Sequence, residues 1–126
     1  MYIYIRILIF TKKQLVIHTI NQYERIISTQ VLNEFCNVCI RKLKMPISAV
    51  RDSITEIKNI CDLIIVDDDT IVSALGCHEK YGYSFYDSLM MASALESGCA
   101  YLLSEDMADG QIIEGNLTIK NIFIMS

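Results

Sequence analysis

Three acids in this sequence, Glu34, Asp87 and Asp106, carry the side chains best suited to chemistry. Carboxylates drawn from distant parts of a chain suit Mg2+ or Mn2+, which prefer hard oxygen ligands and keep several waters. A metal held in this way orients a water and stabilises charge on a phosphate during in-line attack. Each acid also has a plainer local reading. Asp106 lies two residues beyond an apolar run, Tyr101–Ser104, and reads either as a site acid at a strand end or as a turn former in Ser104-Glu105-Asp106. Asp87 closes Ser84-Phe85-Tyr86-Asp87, close to a capping box, and an acid in a first helical turn also suits the helix dipole. Glu34 sits beside Val31, Leu32, Phe35 and Val38 in the middle of a helical pattern. A carboxylate at the edge of an apolar stripe needs a partner or solvent, and the i+4 position, Val38, supplies no cation. Asp109-Gly110 is a turn dipeptide first and a ligand second.

Other reactive residue types are less organised. Cys36 and Cys39 form a C-x-x-C within a helical pattern, which favours core packing. A zinc site would want a second pair, which Cys61, Cys77, His78 and Cys99 do not form. His18 and His78 have no recognisable nucleophile partner. Asp67-Asp68-Asp69 reads as a helix N-cap and solvated loop. Arg41, Lys42 and Lys44 crowd a helix C-terminus, where the dipole favours them, and could also meet an RNA backbone or an acidic partner.

The elements that must position the acids alternate between strand and helix. Tyr2–Phe10 reads as a strand and Lys12–Tyr23 as a helix with Leu15, Val16, Thr19 and Ile20 on one face. Arg25–Ser28 is a short strand, and Thr29–Lys42 a helix that buries Val31, Leu32, Phe35, Val38 and Cys39. Pro46 ends that pattern, and Ser48 is the expected cap of a helix running to about Ile60, with Val50, Ile54 and Ile57 inward. Leu63–Val66, Tyr101–Ser104 and Leu117–Ile124 read as strands. Thr70–Tyr81 is apolar-periodic, and Ser84–Glu96 is the clearest helix, closed by Ser97-Gly98. Strands apolar on both faces, alternating with helices, predict an α/β fold with a parallel sheet covered on both sides. Ligands in such sheets bind beyond the carboxyl ends of the strands.

The 126 residues predict one domain, and the 52% hydrophobic content a packed one. A net charge of −4 argues against a large basic grip on nucleic acid, though not against an enzyme whose substrate phosphate is bridged by metal. The apolar start carries Arg6, meets Lys12-Lys13, lacks a small-residue cleavage site and falls short of the roughly 20 apolar residues that span a bilayer. Five cysteines without a secretory signal predict reduced thiols and a cytoplasmic location, with no membrane association.

At the acids the chain resembles the PIN-domain ribonucleases, in particular the VapC-type toxins of toxin–antitoxin pairs. Ile27-Ser28-Thr29-Gln30-Val31-Leu32-Asn33-Glu34-Phe35 is similar to that family's second acidic motif. Tyr81-Gly82-Tyr83-Ser84-Phe85-Tyr86-Asp87, with Ser-Leu-Met-Met-Ala-Ser-Ala-Leu after it, is similar to the third. Leu102-Leu103-Ser104-Glu105-Asp106-Met107-Ala108-Asp109-Gly110-Gln111 is similar to the fourth, where Thr is commoner than Ser104. The resemblance implies a three-layer fold with a parallel sheet of strand order 3-2-1-4-5. It also implies Mg2+ or Mn2+ held by Glu34, Asp87 and Asp106, with Asp109 as an accessory, and cleavage of RNA. The implied partners are RNA, a small antitoxin whose tail enters the acidic groove, and a second copy in a homodimer.

One motif is missing. The family's first acid stands in an Asp-Thr-Asn at the end of strand one, whereas no Asp or Asn precedes Asn21 here and the only acid before Glu34 is Glu24. Met1-Tyr2-Ile3-Tyr4 looks like the stretch that follows that motif, so the expectation is a domain incomplete at its N-terminus, through a misplaced start, a frameshift or decay. Codons for Asp-Thr-Asn upstream of Met1 would support the first of these. An alternative function is a non-catalytic PIN-like module that binds a protein or RNA. A flavodoxin-like phosphate binder would want a glycine-rich turn after strand one, and Thr11-Lys12-Lys13 offers none.

Overall fold

The computed structural model describes residues 2–5, 24–104 and 107–121. The chain enters on β1 (Tyr2–Ile5), then β2 (Glu24–Ser28), α1 (Thr29–Arg41), α2 (Ile47–Ile60) and β3 (Asp62–Ile64). It continues through α3 (Asp68–Tyr81), α4 (Phe85–Glu96), β4 (Tyr101–Leu103), β5 (Ile112–Ile113) and β6 (Leu117–Lys120). The expected helix over Lys12–Tyr23 and the expected strand extensions over residues 6–10 and 122–124 lie outside the described residues.

The sheet runs β3-β2-β1-β4-β6-β5. All neighbours are parallel except β5, which pairs antiparallel with β6. The expected order 3-2-1-4-5 therefore holds with one change of detail: the last predicted strand is β6, and the two-residue β5 is added outside it. A tight turn with Glu114 and Gly115 in left-handed conformations, φ 52° and 72°, folds β5 onto β6. Tyr2–Ile5 pairs on both sides, Tyr4 opposite Ile26 of β2 and Leu102 of β4. The stretch expected to follow the first acidic motif is thus the central strand itself.

The buried core follows from this placement. Tyr4, Ile5, Ile27, Leu102, Leu103, Leu117 and Ile119 are closed to solvent on the sheet. Val31, Phe35 and Cys39 at helical spacing bury α1. Val50, Ser53 and Ile57 bury α2, with Ile54 half-buried. Helix α4 buries every residue from Ser88 to Ala94, as expected of a helix packed all round by α3 and β4. Ser48 is not the cap of α2: Pro46 stands at the N-cap without a side-chain bond, and its carbonyl accepts from the Val50 N–H at 3.1 Å. The helix begins directly after the proline, so Ser48 falls inside the first turn, exposed. Among the described residues no helix is long and apolar enough to cross a membrane.

A buried polar contact locks the sheet centre to α1. The Tyr4 hydroxyl donates to Ser28 Oγ, and Met90 Sδ of α4 lies 3.4 Å from the same phenol oxygen. Ser28 Oγ in turn accepts the Val31 N–H at 3.3 Å, which caps α1. Ser28 and Tyr4 are both fully buried. Ser28→Ala removes a helix cap and the phenol's acceptor together, and should cost about 1–3 kcal/mol in urea unfolding. Because Tyr4→Phe removes the same contact, a double-mutant cycle between the two should show coupling on the order of 1 kcal/mol.

Candidate functional site

Parallel connections place helix starts beyond the carboxyl ends of strands. Ser28 is both the last residue of β2 and the N-cap of α1, so α1 leaves directly from a strand's carboxyl end. Glu34 lies in its second turn, half-buried between the inward residues Val31 and Phe35. Helix α4 leads back to the start of β4, so it runs against that strand and its first turn stands toward the strand's carboxyl end. Asp87 occupies that turn, half-buried, and its N–H donates to the Ser84 cap at 3.2 Å. The expected cap and the expected first-turn acid are both present.

Asp106 lies outside the described residues. Its flanks are fixed: Ser104 is buried and its N–H extends the β4–β6 pairing to the Lys120 carbonyl at 3.0 Å, and Met107 is buried on the far side. Asp109 is exposed, and its carboxylate accepts the Asn121 N–H at 2.8 Å. With Gly110 at φ 86°, this is the turn role that the Asp-Gly pair predicts.

Tyr83 joins the segments that carry these acids. Its hydroxyl accepts the Ala108 N–H at 3.1 Å and donates to Gln111 Oε1, tying the loop after β4 to the linker between α3 and α4. The His78 ring and the Ser88 hydroxyl bond to the Tyr83 carbonyl, which holds the linker against both helices. Sequence reasoning missed this residue, although it stands inside the third acidic motif.

The described carboxylates with ligand atoms within 4.8 Å of one another as a group of three are Asp67, Asp68 and Asp69, all exposed. Glu34, Asp87 and Asp109 are not such a group. Asp67 caps α3, accepting from the Thr70 N–H at 3.0 Å and the Thr70 hydroxyl at 2.9 Å, and Asp68 and Asp69 fill the helix's first turn. This is the N-cap reading of the run. The two Thr70 bonds hold the Asp67 carboxyl below its ordinary range.

Against the metal site that the family resemblance implies, the donor type fits and the first-strand acid is lacking. Glu34 and Asp87 are hard oxygen ligands near the carboxyl edge, as Mg2+ or Mn2+ require. The described end of β1, Tyr4 and Ile5, offers no carboxylate, and no acid precedes Glu24. Cysteine chemistry fits poorly. None of the five cysteines forms a disulfide. Burial raises Cys39 and Cys77 above their ordinary value and pushes Cys99 up to about 12, so these thiols stay protonated.

No protein-family model matches the chain. No curated protein matches it in sequence. Among solved structures it is similar to VapC20, a sarcin-ricin loop cleaving toxin of Mycobacterium tuberculosis. The likeness has a TM-score of 0.61 at 14% identity and covers 79% of this chain and 86% of that one. The fold is PIN-like. Within that fold Glu34 and Asp87 stand on two of the helices that begin at the carboxyl edge, where the family resemblance puts its second and third motifs.

Two measurements test these local roles. Tyr83→Phe should release the loop around residues 107–111 while leaving the core intact, read as faster amide exchange at Ala108 with a loss of about 1 kcal/mol or less. For Asp67, the depressed carboxyl means stabilisation that is fully present above the ordinary value of 3.8 and lost as pH falls through the lower folded value. Asp67→Asn should therefore melt below wild type at pH 7 and converge with it as acid protonates Asp67.

Proposed function

We propose that this chain is a PIN-type ribonuclease unit whose divalent-metal site is built from Glu34, Asp87 and Asp106 and is weakened by the lack of an acid on the first strand. The observation that carries the reading is the PIN-like fold with Glu34 and Asp87 on helices that start at one sheet edge. The order of the three motif-like stretches along the chain supports it.

When bound, Mg2+ or Mn2+ would supply an activated water and neutralise charge on the scissile phosphate. The chain's own contribution is orientation. The Ser84 cap fixes the turn that presents Asp87, the Ser28 cap fixes the start of the helix that presents Glu34, and Tyr83 holds the returning loop after Asp106. Asp109 is an accessory at most, since its carboxylate serves the Asn121 N–H. An acid on β1 would stand between β2 and β4 and share the metal with the others. Without it, metal affinity and cleavage both fall.

The substrate class in this reading is RNA, as VapC20 acts on a sarcin-ricin loop, and the setting is the toxin half of a cytoplasmic toxin–antitoxin pair. A homodimer is supported by the outward apolar residues Ile65, Ile71, Val72 and Leu75, of which Ile65 is 77% exposed. The second reading, a non-catalytic PIN-like module, is favoured by one observation, the lack of a carboxylate on β1, Tyr2–Ile5.

Cleavage of an end-labelled stem-loop RNA by the purified chain, with Mn2+ and with chelator, separates the two. The ribonuclease reading expects slow, Mn2+-dependent cleavage, reduced at least about tenfold by Asp87→Asn, since one lost contact to a catalytic metal is worth 1.4 kcal/mol or more. It also expects a rise in melting temperature with Mn2+ that the variant lacks. No cleavage and no thermal response to Mn2+ would leave the binding module as the function.

A further inference from the structure

Helix α4 is enclosed along most of its length, and one side chain breaks the pattern. From Phe85 to Leu95 every residue is buried or half-buried except Tyr86, which is 57% exposed. Of the described Phe and Tyr side chains only Tyr2 and Tyr86 are exposed. They lie at opposite ends of the sheet. Tyr2 opens β1 at its amino end, whereas Tyr86 stands in the first turn of α4, toward the carboxyl ends of the strands and next to Asp87.

The exposed ring is braced. Phe85 meets it edge to face, with centroids 5.8 Å apart and planes at 64°. Phe85 is itself half-buried and packed against the core. The Ser84 cap, which accepts the Asp87 N–H at 3.2 Å, fixes the turn that carries both rings. A ring held in this way, with two side-chain torsions, gives up little entropy when something packs on its free face.

Charge decides what that face would meet. Residues 82–119 hold six acids, Asp87, Glu96, Glu105, Asp106, Asp109 and Glu114, and no Lys or Arg. An RNA backbone finds no side-chain cation along this stretch, so the usual grip on phosphate is lacking there. The base is the uncharged part of a nucleotide, and every base offers a π-face to an aromatic ring. A duplex keeps those faces stacked on one another, whereas an unpaired base in a loop or single strand has one free. We propose that Tyr86 is a stacking platform for an unpaired RNA base, which sets the adjoining phosphate toward Asp87. The inference rests on the RNA-binding part of the ribonuclease reading and adds the residue that favours unpaired over paired substrate.

The test titrates the whole chain, in Mn2+ and before cleavage accumulates, into a short single-stranded RNA carrying one fluorescent purine analogue that stacking quenches. The expected result is quenching that Tyr86→Ala removes, with affinity down at least about fivefold, and that Tyr86→Phe retains. A base-paired form of the same RNA should bind wild type and Tyr86→Ala equally. The ratio of the two affinities for the single strand should stay constant as salt rises, since stacking, unlike a phosphate contact, releases no counterions. Tyr86 is exposed, so an unchanged melting temperature shows that the variant is folded. A quench and affinity that Tyr86→Ala leaves unaltered, or no binding of the single strand at all, overturns the proposal. So does a change of oligomeric state in Tyr86→Ala with RNA affinity kept, since the ring is then a contact between copies. The ribonuclease reading fails separately. Mn2+-dependent cleavage that Asp87→Asn abolishes and Tyr86→Ala spares keeps that reading and sinks this one, while Tyr86-dependent quenching without cleavage does the reverse.

Discussion

Parallel strands cannot be joined by tight turns, and that constraint organises this molecule. Each return to the same edge of the sheet needs a crossover, and each crossover brings a helix start near the carboxyl ends of the strands. The result is an edge where unpaired helix N–H groups gather. Side-chain caps answer that need at Ser28, Asp67 and Ser84, each accepting the N–H three residues on. Glu34 and Asp87 occupy the early turns of two of the capped helices. The acids stand where they do because crossover topology puts helix starts there, and a helix start tolerates negative charge better than any other part of a buried helix.

The central strand sets the depth of that edge. β1 is four residues long and pairs with β2 on one side and β4 on the other. Its Tyr4 fills a position closed to solvent, and a phenol there requires a partner. Ser28 provides it while also capping α1, so one hydroxyl pair joins strand pairing to helix initiation. This junction is neutral. It is complete without an ion, unlike a cluster of carboxylates, whose mutual repulsion a cation must offset.

Most of the fold was legible because local signals agreed with the final packing. Val31, Phe35 and Cys39 at spacings of four marked the inner face of α1, and Ser28 marked its start. Where signals failed, a tertiary neighbour made the choice. In α3, Thr70, Ala74 and Cys77 share one helical stripe, and Ile71, Val72 and Leu75 lie outside it. Periodicity alone marks a helix there without saying which set faces inward. The small residues face inward because α4 packs closely along them, and the large ones are left outside. Strand β3 was read as Leu63–Val66 and is Asp62–Ile64, since at an edge its apolar residues need not be buried and hydrophobicity misplaces its ends. The site was legible only in part. Locally Asp87 is a first-turn acid and Asp109 a turn former, and both of those roles are present. Only the family resemblance joined Glu34, Asp87 and Asp106, because carboxylates 53 and 19 residues apart share no local pattern.

Charge is divided unevenly between the parts of the molecule. The acids outside the α1–α2 hairpin outnumber the cations twelve to six, and the hairpin reverses that sign. A polyanion approaching the acidic part is repelled unless a divalent cation sits between them, so on the proposed reading the metal is a condition of RNA binding as well as of chemistry. On the proposed ribonuclease reading, a missing donor therefore costs substrate affinity along with metal affinity. The basic hairpin carries no such condition, since its cations are exposed.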